Sequence, residues 1–181
     1  MIRSLLHRAI RHQERALAAP MDYMRDIADS SPAAFIKFAL IAPLGLHRRT
    51  LQLEPWHLAR VAAAFSEDCG TCAQIAITLA RRDGVPAKVL RAVVSDSPEQ
   101  LSAPLQDVYR FTRAMVERSD DPELRERIRS HYSQDALVEL SLAIAVSRVI
   151  PTIKRALGHA TACSVLRFEL SAPAPAPGPS R

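Results

Sequence analysis

Asp68-Cys69-Gly70-Thr71-Cys72-Ala73-Gln74-Ile75-Ala76-Ile77-Thr78-Leu79-Ala80-Arg81-Arg82-Asp83-Gly84-Val85-Pro86 reads as one whole helix with its start and stop signals. Asp68 suits the N-cap, and Cys72, Ile75, Ala76 and Leu79 recur at helical spacing. Gly84 falls where a left-handed C′ residue is wanted, and Pro86 starts the next segment. A helix is therefore expected over Cys69 to Asp83. Its first turn holds Cys69 and Cys72, three positions apart and so on one face, where they can close a small disulfide ring. The free N–H groups and positive dipole end of a helix start favour thiolate over thiol. A free cysteine titrates near about 8.5, and such settings lower that by roughly one to several units.

Similar punctuation extends outward on both sides. Upstream, Pro55 opens an apolar helix over Trp56 to Phe65, which Ser66-Glu67-Asp68 breaks. Residues 43–54 read as a loop, Ser31-Pro32 as the opening of a helix to about Ala42, and Met21 to Asp29 as a short helix. Residues 2–17 alternate apolar and basic groups at helix period, and Pro20 ends that run. Downstream, helices are expected from Pro86 to Val94, from Ser102-Ala103-Pro104 to Arg118, and from Asp121-Pro122 to Tyr132. Ser133 caps a long helix through Leu137, Leu140, Ala143, Ile144, Val146, Val149 and Ile150, which Pro151 should kink or interrupt.

No segment alternates as a strand does. Aromatics are 5% of the chain and glycines number five, poor material for a β-sandwich, whereas apolar residues at 48% suffice for a sizeable helical core. The fold class expected is all-α. It divides into an N-terminal amphipathic helix or arm over 1–19, a helical domain over 20–170, and an Ala/Pro-rich tail over 171–181 that should be extended and disordered.

The net charge of +5 is uneven. Residues 1–49 hold eight Lys/Arg and four Asp/Glu, leaving 16 against 15 for the rest. A nearly neutral body argues against a nucleic-acid partner, which needs clustered basic groups. The longest apolar run, Ala33 to Leu46, is 14 residues and contains Lys37, too short to span a bilayer. A membrane partner is not favoured, and the basic helix 2–17 reads first as an arm packed on the domain or a neighbouring subunit, with a membrane-surface helix as its alternative. The first residues lack the unbroken apolar run of a secretory leader. The expected compartment is a reducing cytoplasm, where Cys-x-x-Cys is more often catalytic or metal-binding than a structural staple.

Other readings of the same letters stand beside the redox one. Cys69 and Cys72 could serve as small buried apolar residues. A structural zinc site would need four ligands, and with no second Cys-x-x-Cys it would have to recruit His57, His159 and Cys163, so no metal and no cofactor is expected. His57 lies in an otherwise apolar helix and must be hydrogen-bonded or face a cavity, either as a satisfied core histidine or as a base near Cys72. Glu67 and Asp68 are the remaining acid/base candidates, with Asp68 chiefly a cap. Cys163 reads as a buried apolar cysteine.

The run Glu67-Asp68-Cys69-Gly70-Thr71-Cys72-Ala73-Gln74, continuing through Leu79-Ala80-Arg81-Arg82-Asp83-Gly84-Val85-Pro86, resembles the AhpD-like / carboxymuconolactone decarboxylase family. Phe111-Thr112-Arg113-Ala114 and His131-Tyr132-Ser133-Gln134-Asp135-Ala136-Leu137-Val138-Glu139-Leu140 are similar to that family's later helices, and the resemblance covers roughly residues 20–165. It implies an all-α, homo-oligomeric protein and an alkylhydroperoxidase-like activity recharged by a partner thiol. It also implies Cys72 as the sulfur that attacks peroxide and Cys69 as the one that resolves the sulfenate. The family's relay histidine, four residues after the second cysteine, is Ala76 here; Thr71 stands where histidine is frequent, and His57 where a glutamate is usual.

The function expected is thus a thiol-dependent oxidoreductase with catalytic residues Cys72, Cys69, His57 and Glu67. Its partners would be a peroxide or small disulfide, a reducing protein or small thiol, and further copies of the chain. The alternatives are a lyase or decarboxylase on the same fold, and a non-enzymatic oligomeric redox sensor.

Overall fold

Three of the expected caps form as hydrogen bonds. Ser31 Oγ accepts from the Ala34 N–H at 3.2 Å, Asp121 Oδ1 from Leu124 at 2.9 Å, and Ser133 Oγ from Ala136 at 3.1 Å. The computed structural model describes residues 2–160, so the tail, Cys163 and the end of the expected domain lie outside the described residues. The helices are α1 (Ile2–Leu17), α2 (Asp22–Ser30), α3 (Pro32–Ala39), α4 (Ile41–Gly45), α5 (Leu53–Ser66), α6 (Gly70–Arg82), α7 (Ala87–Val94), α8 (Ala103–Val116), α9 (Pro122–Tyr132) and α10 (Gln134–Ala156), with a 3₁₀ turn at Pro98–Gln100. No strand occurs among the described residues, and the chain is all-α.

Several boundaries differ from expectation. The segment 43–54 is not one loop, because α4 runs through Pro43 to Gly45 and α5 begins at Leu53. Pro55 is the third residue of α5, where its missing N–H would have had no helical partner anyway. Cys69, not Asp68, holds the N-cap position of α6, and Asp68 takes a left-handed φ of 48°. Pro151 does not interrupt α10, which continues over it for 23 residues in all. Gly84 adopts φ 86° as a C′ residue should, and the N–H of Val85 reaches back to the Ala80 carbonyl at 2.9 Å.

Helix α5 is the centre of the bundle. It is apolar nearly all round, and Trp56, Leu58, Ala59 and Val61 to Ala64 are all buried against α6, α7, α8 and α10. Burying a side chain such as Leu58 or Val61 contributes about 1.5–3 kcal/mol. Among the described residues α10 is the one helix long and apolar enough to cross a membrane by length and composition, and here it packs on α4, α5 and α9. Its Glu139 is buried, and the carboxylate accepts the backbone N–H groups of Arg49, Thr50 and Leu51 at 2.7, 2.9 and 2.8 Å. Gly45 permits α4 to lie on α10; a Cβ there would fall 2.5 Å from Val146 Cγ1.

A second apolar cluster joins the N-terminal helices to this bundle. Ile10, Met21, Tyr23, Met24, Ala28 and Phe35 are buried, and Ile75 of α6 with Ile150 and Ile153 of α10 pack on them. The expected N-terminal arm therefore lies on α2 and α3, with Ile10 facing inward and Ile2 and Leu5 left exposed.

Candidate thiol site

The two sulfurs of Cys69 and Cys72 lie 2.7 Å apart at the start of α6. Cys69, at the N-cap, has extended backbone (φ −118°, ψ 90°), and Gly70 begins the helix. This geometry puts residue 72 one turn above residue 69 on the same face. Both cysteines are free, and a small rotation would bring them to the S–S distance of about 2.05 Å. Cys69 is fully buried and Cys72 half-buried, so an incoming molecule meets Cys72 first.

Around the pair stand groups from three elements. Thr71 Oγ1 lies 3.8 Å from Cys69 Sγ. Lys154 of α10, only 3% exposed, donates from Nζ to Thr71 Oγ1. The same ammonium lies 5.5 Å from the centre of the Tyr23 ring in α2, within cation–π range. No carboxylate among the described residues lies within ion-pairing distance of Lys154.

These contacts divide the titration of the two thiols. The hydrogen bond with Cys72 holds the Cys69 thiol down to about 5; burial opposes this, and the Cys72 backbone N–H, the Lys154 charge and the Thr71 hydroxyl assist. Cys72 is pushed far above its ordinary value, first by that hydrogen bond, then by burial and by the charge on Cys69. Thus the pair loses one proton readily and keeps the other. Burial and then the nearby thiolate charge likewise push the Tyr23 phenol up.

Glu67 flanks the pair as expected, but its carboxylate is engaged elsewhere. Arg148 Nε donates to Glu67 Oε1 at 2.6 Å, Arg155 Nη1 lies 3.7 Å from Oε2, and Arg155 also donates to the Glu67 carbonyl. Glu67 thereby ties the turn before α6 to the C-terminal half of α10. His57 is not brought to the thiols. Its Nε2 pairs with Asp83 Oδ2 at 2.7 Å, at the opposite end of α6, and burial lowers its pKa despite that carboxylate. His159 pairs with Asp26 at 2.6 Å. Ala76 is buried in the main core. Two concavities of the surface are lined by Arg3, Ser4, His7, Arg11 and Asp29, and by Glu14, Arg15 and Ala18 to Pro20, both against α1. No cluster of His, Cys, Asp or Glu able to hold a metal occurs among the described residues.

Lys154 is the group that sequence reasoning missed. It sits in an apolar helical run one turn after Ile150, and it is one of three lysines in a chain that otherwise uses arginine. That choice of a compact ammonium within an apolar stripe was the available signal. No family model, no curated protein and no solved structure matches the chain.

Proposed function

We propose that the chain is a thiol–disulfide oxidoreductase on an AhpD-like helical bundle, in which Cys69 and Cys72 cycle between dithiol and disulfide. The observation that supports this reading is the 2.7 Å approach of the two sulfurs at a helix start, beside a buried ammonium. In the reduced pair one proton is shared by two sulfurs. With Cys69 sealed from solvent, a peroxide is attacked by Cys72, whose proton passes to Cys69 as the O–O bond breaks. The leaving oxygen takes a solvent proton and departs as alcohol or water. Cys69 then displaces hydroxide from the Cys72 sulfenic acid, and its proton leaves with that hydroxide as water. In this scheme Cys69 serves as the base for Cys72, in place of the histidine that Ala76 lacks. A thiol partner returns the disulfide to the dithiol.

A homo-oligomer belongs to the same proposal. Ile36 of α3, Leu40 at the junction of α3 and α4, and Leu44 of α4 are exposed at four-residue spacing, and Ile2 and Leu5 are exposed on α1. A redox sensor without turnover is the second reading. It is favoured by the tie from Glu67 to Arg148 and Arg155, which links the thiol turn to α10.

The test is to mix the reduced full chain with hydrogen peroxide or cumene hydroperoxide and follow intact mass and peroxide loss. An enzyme loses 2 Da per chain as one peroxide disappears, then consumes further peroxide when dithiothreitol is supplied. A sensor oxidises once and turns over no further peroxide. Alkylation of both cysteines at the rate of an ordinary thiol, with no loss of mass, overturns both readings.

A further inference from the structure

Lys154 is a buried cation whose charge acts on the Cys69 sulfur, and among the described residues no carboxylate lies within ion-pairing distance of it. The other charged and titratable groups there are Tyr23 from α2, Glu67 and Asp68 before α6, and Arg148 and Arg155 of α10, the two arginines being engaged with Glu67. A buried ammonium is costly unless compensated. The reduced pair, with one negative charge, compensates it. A disulfide carries none. Oxidation therefore leaves Lys154, among the described residues, with the Thr71 hydroxyl and the face of Tyr23.

We propose that Lys154 is the positioning residue that poises the Cys69–Cys72 couple, favouring the reduced pair and making the disulfide a ready oxidant of thiols. This rests on the thiol–disulfide reading above and adds its direction: the oxidised pair accepts electrons from small thiols. With glutathione as reductant, the protein disulfide and two glutathione thiols give one protein thiol, one protein thiolate, one glutathione disulfide and one released proton. The disulfide bond of the protein breaks, that of glutathione forms, and two electrons pass to the protein sulfurs. A couple whose reduced form is stabilised has a raised potential.

The experiment equilibrates the full chain with glutathione buffers between pH 6 and 8, traps the thiols by alkylation, and reads the reduced fraction by mass. For the natural sequence the equilibrium constant for reduction should rise about tenfold per pH unit, because one proton is released. Lys154→Met should lower that constant by about tenfold at pH 7, equivalent to roughly 30 mV. It should also move the onset of thiolate absorbance at 240 nm to higher pH. Lys154→Arg should restore most of both. Thr71→Val, which removes the oxygen that tethers the ammonium, should lower the constant by about threefold, and it serves if Lys154→Met does not fold. Constants for Lys154→Met and Thr71→Val within twofold of the natural chain overturn the assignment of Lys154. A natural chain that forms no disulfide in any glutathione buffer overturns the thiol–disulfide reading itself, a separate outcome.

Discussion

His57 Nε2 and Asp83 Oδ2 meet at 2.7 Å, joining the first turns of α5 to the C-terminal end of α6. The thiols stand at the other end of α6; eleven helical positions separate Cys72 from Asp83, about 16 Å. His57→Leu should therefore leave the pH dependence of thiol alkylation unchanged. Its effect should appear in stability. Burial depresses the folded pKa of His57, so the neutral ring stabilises the fold above the unfolded value of about 6.5 and that contribution is lost as pH falls below it. Urea titrations at pH 7.5 and pH 5.5 should show a smaller acid-induced loss in His57→Leu than in the natural chain.

The sulfurs should be separable by single substitutions. Cys72→Ser should abolish peroxide consumption, because the sulfur that oxidant can reach is gone. Cys69→Ser should permit one oxidation that stalls as sulfenic acid or mixed disulfide, detected as a mass gain of oxygen or of the added thiol. If Cys69→Ser turns over like the natural chain, the resolving role is wrong.

Glu139 should be a large single contributor to stability. Its carboxylate takes three backbone N–H groups in a buried site, and Glu139→Ala leaves them without it, a cost of about 3 kcal/mol. Burial pulls its pKa up, but the N–H groups of Leu51, Thr50 and Arg49 outweigh that and set it below the ordinary value. Its contribution is therefore present above the unfolded pKa of about 4.3 and lost as pH falls through the lower folded one. Chemical denaturation at pH 6 and pH 3 should show that loss in the natural chain, and less of it in Glu139→Ala.

How much of this was readable beforehand depends on how local the cause is. Ser31, Asp121 and Ser133 act within one turn of their own helices, and Gly84 within its own turn, so each signal sits beside its effect. The closeness of Cys69 and Cys72 follows from a spacing of three. Lys154 and Thr71 are 83 positions apart, and Glu139 and Arg49 are 90 apart. Those pairings depend on how α10 lies on α5, which no local pattern encodes. His57 shows the same limit: its apolar setting revealed that it needed a partner, while the choice of Asp83 over the thiols came from the register of α5 on α6.

The approach of α4 to α10 should tolerate no added methyl at Gly45. Gly45→Ala puts a Cβ 2.5 Å from Val146 Cγ1 and 2.7 Å from Val146 Cβ, a short branched side chain with little room to yield. The expected loss is about 1–3 kcal/mol. Adding Val146→Ala should recover part of it, and a double-mutant cycle by thermal melts measures the coupling.

Association should follow the exposed apolar stripe. Light scattering of the natural chain at micromolar concentration should give a multiple of its 20.0 kDa mass. Leu40→Glu with Leu44→Glu should reduce that mass to one chain without loss of helical signal. A monomeric natural chain refutes the oligomer.

The carboxylate that secures residues 49–51 sets an order of events during synthesis. Glu139 is added some ninety residues after the backbone it binds, when helices α5 to α9 have already been synthesised. Until then the entry to α5 lacks the acceptor for three of its N–H groups, and the chain must close a long loop to supply it. A nascent chain stopped short of residue 139 should expose this segment to proteases and chaperones, and release of α10 should shut it.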